Sequence, residues 1–578
     1  MNDRTNVPEW VYILISVLIG MIAFIVIYGV TPLNVQNDKW IMAGYDESDI
    51  IQHYSGWTAF RNSEWSFPLG AAQDMGVEDR TYISYTDSIP WVAIFFKCWR
   101  SVLPQTFQYF GLYALICYIL QSIAAFMLIK YKTGSALFSF IASVLFTFAP
   151  IELERSLRHT SLGSQWLILF AILLYLYHKD EYKFSHYISY TILMVLAIGI
   201  HPYFLPAIGV FLLLCVIEDI KRKQIKSALY LVGILILTYG AGVVIGVLGS
   251  GVDTSRWGYG YYSMNLNAIL NPSSLGGYTW SSFIKTYPQI LGNYDGFNYI
   301  GVGIVFAVLV DLILIICSDI KVISRFVKKY IWELILLLCC TAFAVSNVIT
   351  FNDSTLIKIS LPEWLLKICG IFRASSRIFY PVYYCLFLLS IVVLWRKISQ
   401  TSRKNAIIVV SFVVILQLFD IHTAIIEKHE RMVANAEYIS LLDDATVTSI
   451  LAVGNDVLLD NFNDLDGESR RIAVAATKNN CKLYFSVAGA GNFEKTTAKA
   501  SELLSYIKRT GDIGNHVVVT TDWDTIKDYM RFKNVGYYDC AGTYYIAKND
   551  EGKLNTVAKG YKASDLTDAN WTNGVRII

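Results

Sequence analysis

About eleven apolar runs of near membrane-crossing length recur along this chain, close to 10–30, 107–129, 135–150, 160–178, 184–200, 203–218, 227–249, 299–317, 330–349, 377–395 and 405–420. Hydrocarbon offers the backbone no hydrogen bonds, so each run has to satisfy its own N–H and C=O groups as a helix. Of 578 residues, 54% are hydrophobic and only 16% charged, and the mean hydropathy is +0.44. These values predict a polytopic membrane protein. The first run is long enough to remain as a span rather than act as a cleaved signal. The runs 184–200 and 203–218 are short and separated by Pro202. The stretch 88–103 is apolar but carries Lys97 and Arg100, which places it flat on the membrane surface.

Basic residues mark one side of the membrane. Lys130 and Lys132 follow the second run, Lys179 and Lys183 the fourth, and Lys221, Arg222, Lys223 and Lys226 the sixth. Lys321, Arg325, Lys328 and Lys329 follow the eighth, and Arg396, Lys397, Arg403 and Lys404 the tenth. Every even-numbered exit is basic, which predicts cytoplasmic loops there, a cytoplasmic N-terminus and an extracytoplasmic C-terminus. The loops 31–106, 250–298 and 350–376 then lie outside and carry most of the polar and aromatic residues. No basic patch interleaves with aromatics in a soluble module, so no nucleic-acid partner is expected.

From about Glu427 the composition turns polar. A helical pattern over Glu494–Arg509 precedes the strand-like runs His516–Thr521, Gly536–Asp539 and Thr543–Ala547. The expected organisation is an all-α membrane domain over 1–426 and an extracytoplasmic α/β domain over 427–578, with 563–578 starting a further β unit or forming a tail. Of the ten cysteines, Cys481 and Cys540 fall in the polar part, where pairing is an option; the others lie in or beside apolar segments and read as small hydrophobes.

Chemistry-bearing residues concentrate in the outer loops. Asp46, Glu47 and Asp49 open the first loop, and a helix there puts Asp46, Asp49 and His53 on one face, with Tyr54, Trp57 and Phe60 as an aromatic stripe at the headgroups. A second acid, Asp87, stands in Ser84–Pro90. A carboxylate here can take a proton from an acceptor hydroxyl, hold a divalent cation such as Mg or Mn, or simply cap a helix. Arg373 and Arg377, four apart ahead of the tenth run, suit a phosphate or diphosphate, or else snorkel to headgroups. Glu152, Glu154, Arg155, Arg158 and His159 form a third polar group, which as an ion-pair network would be structural. His201 marks the outer end of the fifth run, and Tyr259 and Asn265 lie in an aromatic, glycine-rich stretch able to stack on and hydrogen-bond a sugar. Asp311 sits inside an apolar run, where a buried structural contact is expected.

The stretches Asp49–Arg61 (DIIQHYSGWTAFR), Trp65–Gly70 (WSFPLG), Ser84–Pro90 (SYTDSIP), His201–Phe204 (HPYF), Gly258–Leu266 (GYGYYSMNL), Gly296–Gly301 (GFNYIG) and Phe372–Tyr384 (FRASSRIFYPVYY) keep their order through the membrane part. With them the chain resembles the GT-C class of integral-membrane glycosyltransferases, which use polyprenyl-phosphate-linked sugars, and within it a bacterial multi-pass group known mainly from sequence. The resemblance implies a catalytic acid soon after the first span, the place of Asp49 with Asp46 as neighbour, and a second loop acid, the place of Asp87. It implies that Arg373 and Arg377 hold the lipid phosphate, and it leaves open which acid is the base. A C-terminal domain in this class often helps bind acceptor.

The expected function is inverting sugar transfer from a polyprenyl-phosphate donor to an extracytoplasmic cell-wall glycan or lipid-linked acceptor, in a bacterial plasma membrane. A flippase or transporter of lipid-linked saccharides is the alternative, and it would show internal repeats and mid-membrane polar groups. A polymerase, an acyltransferase and a sensor on an inert anchor are further readings. The polar residues crowd the outer loops and no repeat is visible, which favours transfer over transport.

Overall fold

The computed structural model describes residues 7–46, 49–79, 81–248, 258–316, 321–465, 467–489, 493–532, 534–549, 552, 554–555, 571–572 and 575–576. The chain divides into two compact units, one of 1–34, 109–241 and 254–433 and one of 35–108, 242–253 and 434–578.

Each of the eleven apolar runs contains a helix. Among the described residues, seven helical stretches are long and apolar enough to cross a membrane: Glu9–Tyr28, Phe110–Thr133, Ala136–Arg155, Thr160–Asp180, Lys226–Val244, Ser375–Ile398 and Arg403–Asn435. Phe184–Ile200, Val302–Ile316 and Ile331–Val345 are apolar but shorter, and Phe204–Lys221 is an 18-residue helix that ends in charge. Phe184–Ile200 ends at the extended His201, ahead of Phe204–Lys221.

In the first unit the helices meet through small residues. A Cβ on Gly20 would fall 2.6 Å from the Ile119 Cα, so Glu9–Tyr28 lies directly on Phe110–Thr133. Ile13, Leu14, Leu18, Ile22 and Ile25 of the same helix face outward, as lipid contact requires. Asp311 is buried, and its Oδ1 has no hydrogen-bond partner among the described residues. Asp420 anchors the second outer loop and the start of the helix after it: its carboxylate accepts from the Tyr299 hydroxyl at 2.6 Å, the Val302 N–H at 2.9 Å and the Ser281 hydroxyl. The loop 350–376 is more ordered than its composition suggests. Val348–Phe351 pairs antiparallel with Ser354–Lys358, and a helix Glu363–Gly370 follows. The last apolar helix runs past the polar change at Glu427 to Asn435.

The second unit is built on a five-stranded sheet in the order Lys482–Leu483, Asp456–Leu459, His516–Thr520, Thr543–Lys548, Val535–Cys540. The first three strands are parallel, and the last two form an antiparallel hairpin turned by Ala541 and Gly542, both at positive φ. Ile507, Val518, Ile526, Tyr529, Val535 and Ile546 fill the core between this sheet and its helices. The expected α/β pattern is thus present, with Glu494–Thr510 as the expected helix. Cys481 and Cys540 are free thiols, each turned to a backbone carbonyl, so they do not pair. Of 563–578, only Trp571–Thr572 and Val575–Arg576 are described, as a two-residue antiparallel pair.

The first outer loop belongs to this sheet unit. Asp74 and Gly76 bond the backbone of Leu483 at the sheet edge, and the Asp79 carboxylate accepts from the Thr496 N–H at 2.8 Å, capping Glu494–Thr510 from outside that helix. The stretch 88–103 forms the helix Pro90–Lys97, and its lysine is not at a surface: Lys97 is buried over the Phe60 ring at 4.0 Å, its amine drawn down to about 8 by burial and by Arg100. Tyr54, Trp57 and Phe60 likewise face the interior, not the headgroups, because the helix Asp49–Asn62 is enclosed over nearly its whole length.

Gly56 lets that helix approach the turn Ile83–Thr86. An added Cβ would lie 1.9 Å from Thr86 Oγ1. Gly56→Ala is expected to destabilise this unit by about 1–3 kcal/mol, read as a lower thermal midpoint, whereas Gly134→Ala meets no atom within 4 Å and pays only for its positive φ.

Candidate functional site

Two clusters of ionisable side chains stand out, one in each unit. In the helical unit, the turn Asn293–Gly296 carries Asp295 into the protein, where it is 5% exposed. Arg377 grips it side-on, with Nε 3.2 Å from Oδ2 and Nη2 2.9 Å from Oδ1. Arg155 donates from Nη1 to Oδ1 at 2.9 Å and from Nη2 to the Asp295 carbonyl at 2.5 Å. Ser376 adds its hydroxyl to the same carboxylate and carbonyl. His159 Nδ1 lies 3.3 Å from Arg155. Burial alone would raise the Asp295 carboxyl, but Arg155 and then Arg377 outweigh it and hold it well below the usual carboxylate range.

This arrangement carries two guanidiniums on one carboxylate, a surplus of one positive charge in a largely buried place. The buried Tyr380 hydroxyl lies against the Arg155 guanidinium. The Arg377 guanidinium also stands 5.0 Å from the centre of the Tyr203 ring, and Tyr203 packs on His201 and on Phe372. A buried surplus of positive charge is what an anionic group would satisfy. Arg373 does not share a helix face with Arg377, because it precedes the 3-10 turn Ser375–Phe379; it stands 5.9 Å from the Tyr262 ring and is only part-buried.

The neighbouring group splits into pairs. Arg158 and Glu154 form a fully buried ion pair, and a Cβ on Gly276 would strike the Arg158 guanidinium at 2.4 Å. Asn265 holds Asn293 Oδ1 at 3.2 Å and the Asn352 backbone at 2.7 Å, tying the loop under Asp295. Tyr259 packs on Phe343.

In the sheet unit, Asp49 is the first residue of its helix, and its Oδ1 is 3.2 Å from Arg470 Nη1. Asp46 is buried and precedes the helix at φ +68°, so it does not share a helical face with Asp49 and His53. His53 is buried, and its carbonyl accepts from Ser88 at 2.6 Å. Asp87 has φ +53° and Ile89 φ +55°, the latter a genuine outlier for a β-branched residue. Strain of this kind collects at functional sites. Glu47 lies outside the described residues. Among the described residues no three His, Cys, Asp or Glu side chains are grouped to hold a metal ion, and the Asp49 carboxylate already faces a guanidinium, so the acids present do not fit a divalent-cation cage.

Three pairings carry no signal in local sequence. Asp295 stood in an aromatic loop with no charge nearby in sequence; Arg155 was grouped with its own helix; and Arg470 lay 421 residues from Asp49.

A family model described as "Domain of unknown function (DUF6311)" matches residues 17–422, and the chain belongs to that family. No curated protein matches the sequence. Among solved structures, the chain is similar to the Archaeoglobus fulgidus oligosaccharyltransferase in its apo form, with a TM-score of 0.40 and 12% identity over 94% of this chain and 75% of that one. It is also similar to the oligosaccharyltransferase AglB of the same organism in complex with an inhibitory peptide and a dolichol-phosphate, with a TM-score of 0.37 and 13% identity over the same shares.

Asp295→Ala leaves two buried guanidiniums without their acid and is expected to cost about 3–5 kcal/mol at pH 7. Because the folded carboxyl is held below its ordinary value near 4, its stabilisation is complete above that value and fades as pH falls below it. Thermal melts of wild type and variant in detergent are expected to differ most at neutral pH and to converge below about pH 4.

Proposed function

We propose that this protein is a membrane glycosyltransferase of the GT-C kind. It moves a sugar from a polyprenyl-phosphate-linked donor to an extracytoplasmic cell-wall glycan or lipid-linked acceptor, with inversion, in a bacterial plasma membrane. The observation that carries the reading is the buried surplus of positive charge at Arg155, Asp295 and Arg377. A polyprenyl-phosphate sugar joins an anion to a long apolar tail, and a cationic cluster in the apolar helical unit suits both parts.

The chemistry needs two things from the protein. A carboxylate takes the proton of the acceptor hydroxyl as its oxygen attacks the anomeric carbon from the face opposite the phosphate. A cation stabilises the charge that the departing phosphate gains as its bond to that carbon breaks. Asp49 is the base in this reading, with Asp46 and Asp87 as assisting acids, and Arg377 and Arg373 serve the phosphate. His159, His201 and Tyr259 are the candidates for binding the remaining substrate groups. No step is assigned to a metal.

Purified protein in proteoliposomes, offered radiolabelled polyprenyl-phosphate sugars and glycan acceptors, tests the roles. Asp49→Asn is expected to lower kcat by about 10²–10⁴-fold while donor binding persists. Arg373→Gln is expected to lower kcat/KM for donor by about 10- to 100-fold. Equal transfer by Asp49→Asn and wild type moves the base to Asp46 or Asp87. Labelled lipid crossing the bilayer without any transfer makes the chain a flippase and overturns the reading.

A further inference from the structure

The helix Glu468–Lys478 lies along the helix Asp49–Asn62, inside the sheet unit. Its C-terminal end is docked by a buried hydroxyl pair and by backbone contacts. Thr477 Oγ1 meets Thr58 Oγ1 at 2.8 Å, Asn62 Nδ2 donates to the Thr477 carbonyl, and Lys478 pairs with Asp38 at 2.5 Å. Near its start, Arg471 Nε donates to the Met42 carbonyl at 2.7 Å. These contacts, with Ile472, Ala473 and Val474 buried beneath them, account for docking.

Arg470 does something different. Its guanidinium reaches Asp49, and this pair is the more open one, at 23% and 30% exposure against 20% and 14% for Lys478 and Asp38. Ion pairs this open contribute about 0–1 kcal/mol to stability, so holding the helix in place is not what Arg470 is needed for. A guanidinium is a fixed planar donor that stays protonated. It can hold a carboxylate in one rotamer without ever competing with it for the acceptor proton.

We infer that Arg470, from the C-terminal part of the chain, is a positioning residue for Asp49, fixing the carboxylate that receives the acceptor proton. The inference rests on the transferase reading. It gives the C-terminal part a role in the chemical step beyond glycan binding.

Full-length protein in proteoliposomes, assayed with polyprenyl-phosphate sugar and glycan acceptor, separates positioning from docking. Arg470→Gln is expected to lower kcat by about 10- to 100-fold with both KM values and the thermal midpoint unchanged. Arg470→Lys is expected to restore part of that loss. Lys478→Gln, which breaks the other ion pair of the same helix, is expected to leave kcat unchanged. In an Asp49→Asn background, Arg470→Gln is expected to cost nothing further, because the residue acts through Asp49. Full kcat for Arg470→Gln, or an equal loss with and without Asp49, overturns the inference while leaving the transferase reading intact. A wild type that transfers no sugar overturns the transferase reading, and the inference with it.

Discussion

One buried aspartate organises the helical unit. Asp295 arrives on a loop between two apolar helices and is met by Arg155 at the end of one helical stretch and Arg377 at the start of another. Burying three charges is expensive unless each is paired and hydrogen-bonded, and here the backbone carbonyl of Asp295 and the Ser376 hydroxyl complete the set. The loop cannot lift without stranding two cations. Asn265 and Asn293 on one side and Asp420 on the other brace the same region with further hydrogen bonds. An outer loop that would otherwise be free to wander is thereby fixed, and the charge left over after pairing is positive.

The sheet unit solves a different problem. The first outer loop is long and would be costly to order alone. It lays Asp74–Gly76 along the short edge strand, sends Asp79 to cap a helix more than 400 residues away in sequence, and packs its own helix Asp49–Asn62 against Glu468–Lys478. The candidate base is therefore held by residues from the far end of the chain. Asp87 and Ile89 are kept at positive φ beside hydroxyls of Thr86 and Ser88 that bond each other and the His53 carbonyl.

Periodicity made the helices and the C-terminal strands readable, because burial in lipid or in a sheet core imposes a pattern on neighbouring residues. The eleven apolar runs are helical, and Glu494–Thr510, His516–Thr520 and Thr543–Lys548 fall where propensity puts them. What periodicity does not carry is pairing at a distance. Tyr54, Trp57 and Phe60 looked like an interfacial stripe, yet they are enclosed because the rest of the loop folds around them. Asp46 seemed to extend the Asp49 helix, and a left-handed backbone ends that possibility. Arg373 and Arg377 looked equivalent, but only Arg377 meets Asp295, because a 3-10 turn separates their directions. Acids and cations in loops mark candidates; their partners come from tertiary folding, which local sequence does not encode.

The most direct measurement is the anomeric configuration of the product made by the purified wild-type protein from a polyprenyl-phosphate sugar of defined anomer and a hydroxyl acceptor, read by NMR. In-line attack of an acceptor hydroxyl on the anomeric carbon, as in the proposed reaction, predicts a glycoside of inverted configuration. A product that retains the donor's configuration, or the absence of any glycoside with every donor tried, would contradict the account.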